Sequence, residues 1–308
     1  MNCPLCESSN LKFLSGVKDV EYWTSNDTFF YYECLSCQII FLKDPPHDKL
    51  SEIYPNTYYS TDFDFNKGFS VISFLSAVKL FLDKKFLRQS LSSISGKEQL
   101  SCLDIGGGSG WMLNILRMAD TRVGLTSVVD LNPISRDVAQ KNGHTFYCQN
   151  IESANFRDQF DVVLLFNLIE HVSDPKRVLA AINIAMRPGA LAIIKTPNSC
   201  SWNRKIFETK YWGGYHAPRH WIIFNEKNFR KLCEEVGFVV QKLSYTQGAP
   251  QWTASILGTY FSDGQKDLIM HKRFSFSLLM FFFGLFDFLT LPFKKTDQIF
   301  VELRKKID

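Results

Sequence analysis

A glycine-rich segment around residue 106 is where residue types and spacing most clearly indicate chemistry. Residues 102–110 read Cys-Leu-Asp-Ile-Gly-Gly-Gly-Ser-Gly, an apolar run that breaks into glycines ahead of a helical pattern at 111–118. Glycine permits positive φ and lets a ligand lie on the main chain, and a helix N-terminus offers that ligand unpaired N–H groups. The dinucleotide fingerprint G-x-G-x-x-G would need glycine at position 111, where this chain has Trp111. The segment therefore predicts a ligand-binding loop that differs from the fingerprint of hydride-transfer enzymes.

Two later segments read as strands that end in polar residues, as expected at the ligand-binding edge of a parallel sheet. Val123–Val129 is an apolar run that ends in Asp130, where an acid can bind the ribose hydroxyls of a nucleoside. A surface aspartate that caps the next helix is the alternative. Phe160–Phe166 is a continuous apolar run, typical of a buried parallel strand, and Asn-Leu-Ile-Glu-His-Val-Ser-Asp-Pro follows it at 167–175.

In this order the motifs resemble those of class I S-adenosylmethionine-dependent methyltransferases. The acid-x-Gly-x-Gly-x-Gly pattern from Asp104 is similar to their motif I, and Arg-Pro-Gly at 187–189 is a further similarity. Segment 167–175 is similar to N-x-x-E-H-x-x-D-P of small-molecule members, and differs from N-P-P-Y of nucleic-acid amino-methyltransferases. The resemblance implies an α/β fold with a Rossmann-like seven-stranded mixed sheet whose last strand is antiparallel. It also implies S-adenosylmethionine as cofactor, with contacts from Asp104, Gly106, Gly108, Gly110, Asp130, Leu131, Asn150, Ile151 and Asn167.

Four cysteines near the N-terminus form two C-x-x-C pairs, Cys3 with Cys6 and Cys34 with Cys37. Each pair places two thiolates on one tight turn, and two such turns complete a tetrahedral sulfur site for a structural Zn²⁺. A redox role for either pair would leave the other pair unexplained. The gap between the pairs leaves room for a β-hairpin around residues 20–32, in a module too small to build a sufficient core without a metal.

The chain divides into a ribbon module and a larger catalytic module, which are expected to have separate cores. The predicted segments are a zinc ribbon (1–45), an aromatic connector (46–69), a methyltransferase core (70–249), an apolar insertion (250–296) and the last strand of the core (297–308). The core should begin with a helix at 70–93 and include a sixth strand at 238–245. Over about residues 1–247 the chain resembles a group of bacterial zinc-ribbon methyltransferases that includes sugar methyltransferases.

Histidines after the predicted fifth strand are candidates for acid–base chemistry. Methyl transfer requires alignment of nucleophile, methyl carbon and sulfur, and a hydroxyl or carbon acceptor also needs a base, for which histidine is the default. Segment 211–221 lies at the carboxyl edge of the sheet, and its Pro-Arg-His-x-x-x-Phe part resembles a segment of related methyltransferases. We predict His220 as the base, with Tyr215 and His216 as substrate contacts. A capping or packing role beneath the next helix is the alternative for His220.

Two neighbouring residues modify this prediction. His171 is the second candidate for catalysis, and fixing the loop after the fourth strand is its alternative role. Arg219 stands where relatives that methylate ketosugar carbons have an acid, which argues against carbon methylation. An arginine there would suit an anionic substrate group such as a phosphate.

Residues 274–293 form a phenylalanine-rich apolar stretch with cationic residues on both sides, at 271–273 and 294–295. Its length approaches that of a membrane span, but the chain must return to the same sheet for its last strand. One interpretation is peripheral membrane contact by a helix in the headgroup region, with Asp287 and the serines facing water. The other is a helix buried against the domain or against a second subunit.

Composition favours a cytoplasmic enzyme with a small-molecule partner. The 308 residues carry a net charge of +4 without a long basic block, which argues against nucleic acid as a partner. The chain begins without an apolar signal region. The predicted activity is methyl transfer to a small-molecule or glycan acceptor, which a lipid could carry. The alternatives are an rRNA or tRNA methyltransferase that grips RNA with its ribbon, and a non-catalytic scaffold of a membrane complex, although the intact Asp104 and Asp130 argue against a scaffold.

Overall fold

The predicted strands are present in a computed structural model, which describes residues 1–54, 74–208, 211–261 and 273–307. The strands are β1 (Leu11–Val17), β2 (Phe29–Cys34), β3 (Ile40–Leu42), β4 (Leu100–Ile105), β5 (Val123–Val129), β6 (Thr145–Tyr147), β7 (Phe160–Phe166), β8 (Met186–Pro197), β9 (Ile222–Ile223), β10 (Phe238–Thr246) and β11 (Gln298–Lys305). The α-helices are α1 (Leu50–Ile53), α2 (Phe74–Leu91), α3 (Trp111–Ala119), α4 (Arg136–Lys141), α5 (Pro175–Ala185), α6 (Trp202–Phe207), α7 (Glu226–Glu235), α8 (Ala249–Phe261) and α9 (Arg273–Thr290). Most of the predicted connector, and the start of the helix predicted at 70–93, lie outside the described residues.

Among the described residues, the larger sheet has seven strands in the order β10-β11-β8-β7-β4-β5-β6. The five strands from β8 to β6 are parallel, whereas β11 runs antiparallel to both of its neighbours. The strand order reverses at β4, because the chain continues to β5 on one side and later to β7 on the other. Ligands of open α/β sheets bind at such a reversal, beyond the carboxyl ends of the strands. The predicted fold class is confirmed.

Alternate residues of the central strands bury two opposite faces, as the pleat of a strand requires. From β7, Val163 and Leu165 join a core with α5 and α7, which includes Leu179 and Phe229. Their neighbours Val162 and Leu164 join a second core on the other face, together with α2 and α3. Helices therefore cover both faces of the sheet and leave its carboxyl edge for a site.

The N-terminal sheet is not separate from the catalytic module. In the part of the chain that the structure describes, its four strands are ordered β1-β2-β3-β9, and β9 follows the histidine-bearing segment 211–221. Buried Tyr31 and Phe41 of the ribbon belong to the same apolar cluster as Trp212 and Phe224 of the core. The expectation of separate cores is therefore wrong. The hairpin also begins earlier than predicted, since β1 pairs with β2 from Leu11↔Cys34 to Val17↔Phe29.

The Arg-Pro-Gly segment at 187–189, which the sequence suggests is a turn, lies inside β8. Pairing with β7 runs through Phe160↔Met186 and resumes at Val162↔Leu191, so the register shifts between these pairs. Gly189 has a φ of +73°, a backbone conformation that favours glycine. The Arg-Pro-Gly sequence thus forms an irregularity that lengthens one strand, and it does not separate a helix from a later strand.

The apolar insertion forms α8 and α9, which pack against each other. Trp252 of α8 stacks on Phe283 of α9 with 5.0 Å between the ring centroids. Asp287 is buried, and its carboxylate accepts hydrogen bonds from the Gly248 N–H at 2.6 Å and the Trp252 indole N–H at 3.0 Å. The expectation that Asp287 faces water is wrong, because these buried donors need an acceptor. Within the described ranges, no helix is both long and apolar enough to cross a bilayer.

Candidate active site

The glycine loop continues β4 at the point where the strand order reverses. Three loop glycines have positive φ, which is 68° at Gly106, 52° at Gly108 and 74° at Gly110. A side chain on Gly107 would place its Cβ 2.4 Å from the Asp104 carboxyl carbon, and one on Gly110 would lie 2.3 Å from a His144 ring carbon. Only glycine fits these close contacts, so the loop backbone packs directly on Asp104 and His144.

Asp104 lies beneath this loop with a carboxylate that the protein satisfies only in part. Its side chain is buried, and within the described residues its Oδ2 atom has no hydrogen-bond partner. Burial, and next the negative charge of Asp130, raise the pKa of Asp104 to about 8. Such an orphaned acid is costly unless a ligand supplies a donor or a cation. S-adenosylmethionine carries a sulfonium and an ammonium group, so the residues present fit this cofactor.

Asp130 ties the end of β5 to the glycine loop. Its carboxylate accepts the Gly108 N–H at 2.9 Å and the Asn132 N–H at 2.8 Å. Burial raises the pKa of Asp130, against the effect of these two hydrogen bonds. Three further residues beyond the sheet edge are expected to contact the cofactor. Leu131 is exposed, Asn150 begins a short turn, and Ile151 is buried within that turn. Their contacts with a cofactor remain predictions.

Asn167 follows β7 and points its side chain at Glu170. Its φ is +52°, and its amide N–H groups donate to Glu170 Oε1 and to Gln298 Oε1, both at 3.1 Å. The other Glu170 oxygen accepts the Thr196 hydroxyl at 3.0 Å. Burial raises the pKa of Glu170 to about 7 despite these hydrogen bonds. Asn167 therefore positions Glu170, while its predicted cofactor contact stays untested.

Three histidines form a cluster in which His220 lies between His171 and His216, and two of them, His171 and His220, lie beside Glu170. The ring centroid of His220 is 4.8 Å from that of His171 and 4.9 Å from that of His216. His220 Nε2 and His171 Nε2 lie 3.9 Å and 4.0 Å from Glu170 Oε1. His220 Nδ1–H donates to the Gly214 carbonyl at 2.8 Å, which leaves the lone pair on Nε2.

Burial keeps the imidazoles of His220 and His171 neutral. It lowers the pKa of His220 well below its ordinary value, and the neighbouring His171 and His216 lower it further. Burial likewise lowers the pKa of His171 to about 3. At neutral pH, His220 therefore has the protonation state that a general base requires.

The structure places the two expected substrate contacts differently. Tyr215 is fully buried, and its hydroxyl donates to the Glu208 carbonyl at 2.8 Å. Its ring packs against Tyr31 with a centroid distance of 4.5 Å, so a substrate cannot reach it. His216 lies at the edge of the cluster, and its Nδ1 is 2.9 Å from Glu21 of the ribbon. We retain His216 and set aside Tyr215 as a substrate contact.

The side chain of Arg219 is buried and bonded to other groups of the protein. Its guanidinium is fully buried, lies 3.0 Å from the Asp19 carboxylate and donates through Nε to the Ile53 carbonyl at 2.8 Å. Further bonds reach Ala217 O and Thr24 Oγ1. The expectation that Arg219 suits an anionic substrate group is therefore wrong, because this side chain anchors segment 211–221 to Asp19 of the ribbon.

Asp19→Ala should lower the free energy of unfolding by about 3–5 kcal/mol, because it leaves a buried guanidinium without its counter-charge. The double variant Asp19→Ala/Arg219→Met should recover part of this loss in urea titrations. Burial opposes ionisation of Asp19, but the Arg219 guanidinium holds its pKa below the ordinary value. The stabilisation is therefore present above about pH 4 and is lost as pH falls through the lowered pKa. If Asp19→Ala left the free energy of unfolding at pH 7 nearly unchanged, the role of Asp19 as the counter-charge of Arg219 would be contradicted.

Sequence reasoning missed three residues of the site. Glu170 lies inside the motif at 167–175, but the sequence does not show that its carboxylate is buried beside two histidines. Tyr54 ends the described part of the connector, and its hydroxyl lies 2.9 Å from His171 Nδ1. His144 supports the glycine loop beneath Gly110 while its Nδ1 meets a threonine hydroxyl, and no local sequence signal indicates either contact.

The four cysteines of the ribbon converge. Their sulfur atoms all lie within 4.8 Å of one another, with Cys3 to Cys37 and Cys6 to Cys34 both at 3.5 Å. A tetrahedral zinc site with bonds of about 2.3 Å separates its sulfurs by about 3.8 Å. The Cys37 N–H also points at Cys34 Sγ at 3.5 Å. The cluster therefore fits one Zn²⁺ with small adjustments.

The fold and the loop agree with a family match. A family model described as methyltransferase domain matches residues 74–243, which is more than half of the chain. The chain belongs to this family. The fold is also similar to that of a solved structure from Galdieria sulphuraria, described as a putative sarcosine dimethylglycine methyltransferase, with a TM-score of 0.51 and 12% identity over 75% of this chain and 86% of that one.

Curated relatives match the same region. A ubiquinone biosynthesis O-methyltransferase of Bradyrhizobium sp. strain ORS 278 is 34% identical over 149 residues, or 45% of this chain and 54% of that protein. Its counterpart from Rhodopseudomonas palustris strain BisB18 is 31% identical over 158 residues, or 48% of this chain and 58% of that protein. The match thus spans about half the length of these relatives.

Proposed function

We propose that this chain transfers a methyl group from S-adenosylmethionine to a hydroxyl of a small-molecule or glycan acceptor, with His220 as the general base. The observation that carries the proposal is the neutral His220, whose Nε2 lies 3.9 Å from Glu170 at the sheet edge that bears the glycine loop. The family match supports methyl transfer. The names of the relatives, both O-methyltransferases, support oxygen as the acceptor atom.

The bound cofactor would supply an electrophilic methyl group on a sulfonium, whose departure leaves a neutral thioether. The loop from Gly106 to Gly110 and the carboxylate of Asp130 would hold its nucleoside part, and the unpaired oxygen of Asp104 suits a donor or cation of the same ligand. With the cofactor bound, these residues would orient it for an in-line attack. Their work is therefore alignment and charge complementarity.

Proton transfer is the part of the reaction assigned to the histidine cluster. His220 Nε2 accepts the hydroxyl proton as the oxygen–carbon bond forms, while the Gly214 carbonyl holds Nδ1–H and fixes the tautomer. The ionised Glu170 carboxylate stabilises the resulting imidazolium at 3.9 Å. His171 shares this carboxylate, and Tyr54 and the Arg219 carbonyl hold its Nδ1, both at 2.9 Å. His171 thus positions the cluster.

Asp130→Ala should lower the affinity for S-adenosylmethionine by about 10- to 100-fold, the effect of losing a charged hydrogen bond. Titration calorimetry on wild type and variant measures this loss. Asp137→Ala is the matched control, because it removes an exposed acid from the helix that follows. Unchanged affinity in Asp130→Ala would remove the ribose role. No binding by the wild-type protein would remove the proposed function.

For the ribbon we propose one structural Zn²⁺ held by Cys3, Cys6, Cys34 and Cys37. The convergence of the four sulfurs supports this site, as does their donor chemistry, since thiolates select zinc over hard cations. Four sulfur ligands leave no open position for water or substrate, so this metal would not act on the acceptor.

A further inference from the structure

Helix α9 presents an apolar face to the outside of the molecule. The outward side chains are Phe281, Phe282, Leu285, Phe288 and Leu289 on the helix and Phe293 just beyond it, each between 47% and 65% exposed. Their spacing follows one side of an α-helix. If a large apolar side chain has an area of about 200 Å², the six leave on the order of 600 Å² of apolar surface in contact with water. That value reaches the upper end of the largest patches on monomeric proteins.

The helix cannot turn this face inward. Its opposite side is fixed by Phe283, which stacks on Trp252, and by Asp287, which accepts two hydrogen bonds from buried donors. Rotation of the helix would leave those donors and a buried carboxylate unpaired, at a large cost in free energy. The exposed face is therefore a stable property of the fold.

The chemical character of the exposed α9 face distinguishes a protein partner from a bilayer. Over residues 279–293 the polar side chains are Asp287, which is buried, and Thr290, whose hydroxyl donates to the Phe286 carbonyl at 2.8 Å. A protein interface of this size carries several hydrogen bonds, about one per 100–200 Å². The described side chains of this face offer none, and the acyl region of a bilayer requires none. Exposed Lys294 directly follows Phe293, where it can meet anionic headgroups.

We propose that the α9 face docks on the surface of an anionic bilayer without crossing it. The phenylalanines enter the boundary between headgroups and acyl chains, and Lys294 and Lys295 contact the headgroups. Strands β8 and β10 are both antiparallel to β11, so α8, which follows β10, starts at the same sheet edge as the glycine loop. Ser255 of α8 also accepts the Gly213 N–H of the histidine-bearing segment at 2.7 Å.

This arrangement indicates a class of acceptor, an inference that rests on the proposed function. A docked α9 would hold the sheet edge with the histidine cluster close to the membrane. The acceptor class is then an amphiphile with a membrane-embedded tail and a methylatable hydroxyl near the headgroups.

Vesicle flotation tests the docking. Vesicles of phosphatidylcholine with and without phosphatidylglycerol are mixed with wild type and with Phe281→Ser/Phe282→Ser/Phe288→Ser. Wild type should float with the anionic vesicles, and the triple variant should bind about 100-fold more weakly. A matched control changes three apolar residues of similar total exposure elsewhere, Leu125→Ser/Ile184→Ser/Val239→Ser, and should float like wild type. Lys294→Glu/Lys295→Glu should lose binding to anionic vesicles by about tenfold or more.

Other results would overturn the docking. Absence of flotation by wild type would do so, as would equal flotation of wild type and the triple variant. A second copy would be the occupant if light scattering showed a wild-type dimer that the triple variant converts to a monomer. Calorimetry with S-adenosylmethionine on the same proteins separates the two proposals, because loss of cofactor binding refutes the methyl transfer and flotation alone decides the docking.

Discussion

Cys34→Ser/Cys37→Ser should reduce methyl transfer by about 10²–10³-fold or more, although neither cysteine belongs to the cofactor loop or to the histidine cluster. The physical reason is that the ribbon holds the segment that carries His220. The hydroxyl of Tyr31 lies 2.9 Å from the backbone carbonyls of both Tyr215 and His220. A displacement of about 1 Å at a reacting group can cost 10²-fold in rate. Loss of the cysteine site should release Tyr31 and thereby displace the base.

The same variant should keep most of its affinity for S-adenosylmethionine. The residues proposed to hold the cofactor follow β4 and β5, which belong to the other sheet. Metal analysis, calorimetry and a turnover assay with S-adenosylhomocysteine detection measure the three quantities separately. Cys148→Ser/Cys200→Ser is the matched control, because both of these cysteines are exposed and lie outside the cluster. Full turnover by a zinc-free variant would contradict the coupling between ribbon and base.

This coupling illustrates what the sequence could not predict. The cysteine spacing indicates a metal turn, and the apolar runs at Val123–Val129 and Phe160–Phe166 predict two strands with their observed bounds. The pairing of β3 with β9 involves only two residues of β9, Ile222 and Ile223, which is too short for a periodic signal. Its consequence, a shared core, depends on contacts between residues about 180 positions apart, such as Tyr31 with Tyr215. Such contacts appear only when the chain is folded.

The pKa shifts of the site residues could not be predicted from the sequence either. The motif around Asn167 predicts that Glu170 and His171 follow a buried strand, but a motif carries no information about solvation. The raised pKa of Glu170 and the lowered pKa of His220 both result from burial among neighbours from several segments. Asp287 shows the same limit. A lone acid in an apolar helix suggests a side chain that faces water. In the fold, however, Gly248 and Trp252 donate hydrogen bonds to it in the protein interior.

His220→Ala should lower turnover by about 10²–10⁴-fold, the range expected for loss of a general base, and should leave cofactor affinity unchanged. The structure supports this prediction through Nε2, which carries the lone pair and lies 3.9 Å from Glu170 Oε1, while the Gly214 carbonyl holds the other ring nitrogen. His171→Ala should lower turnover less, because that imidazole is held through Nδ1 and only positions the other groups of the cluster. Steady-state rates with calorimetric cofactor affinities measure both effects.

The pH profile distinguishes a base from a packing residue. Burial raises the pKa of Glu170 to about 7, so its carboxyl is protonated below that pH and cannot stabilise a histidinium. The rate of methyl transfer should therefore rise as pH increases through about 7. Glu170→Gln should lower the plateau by about 10- to 100-fold and flatten the rise, while its similar shape leaves the fold intact. If His220→Ala instead matched wild type at every pH, His220 would be a packing residue, and the proton would have to leave through His171 or His216.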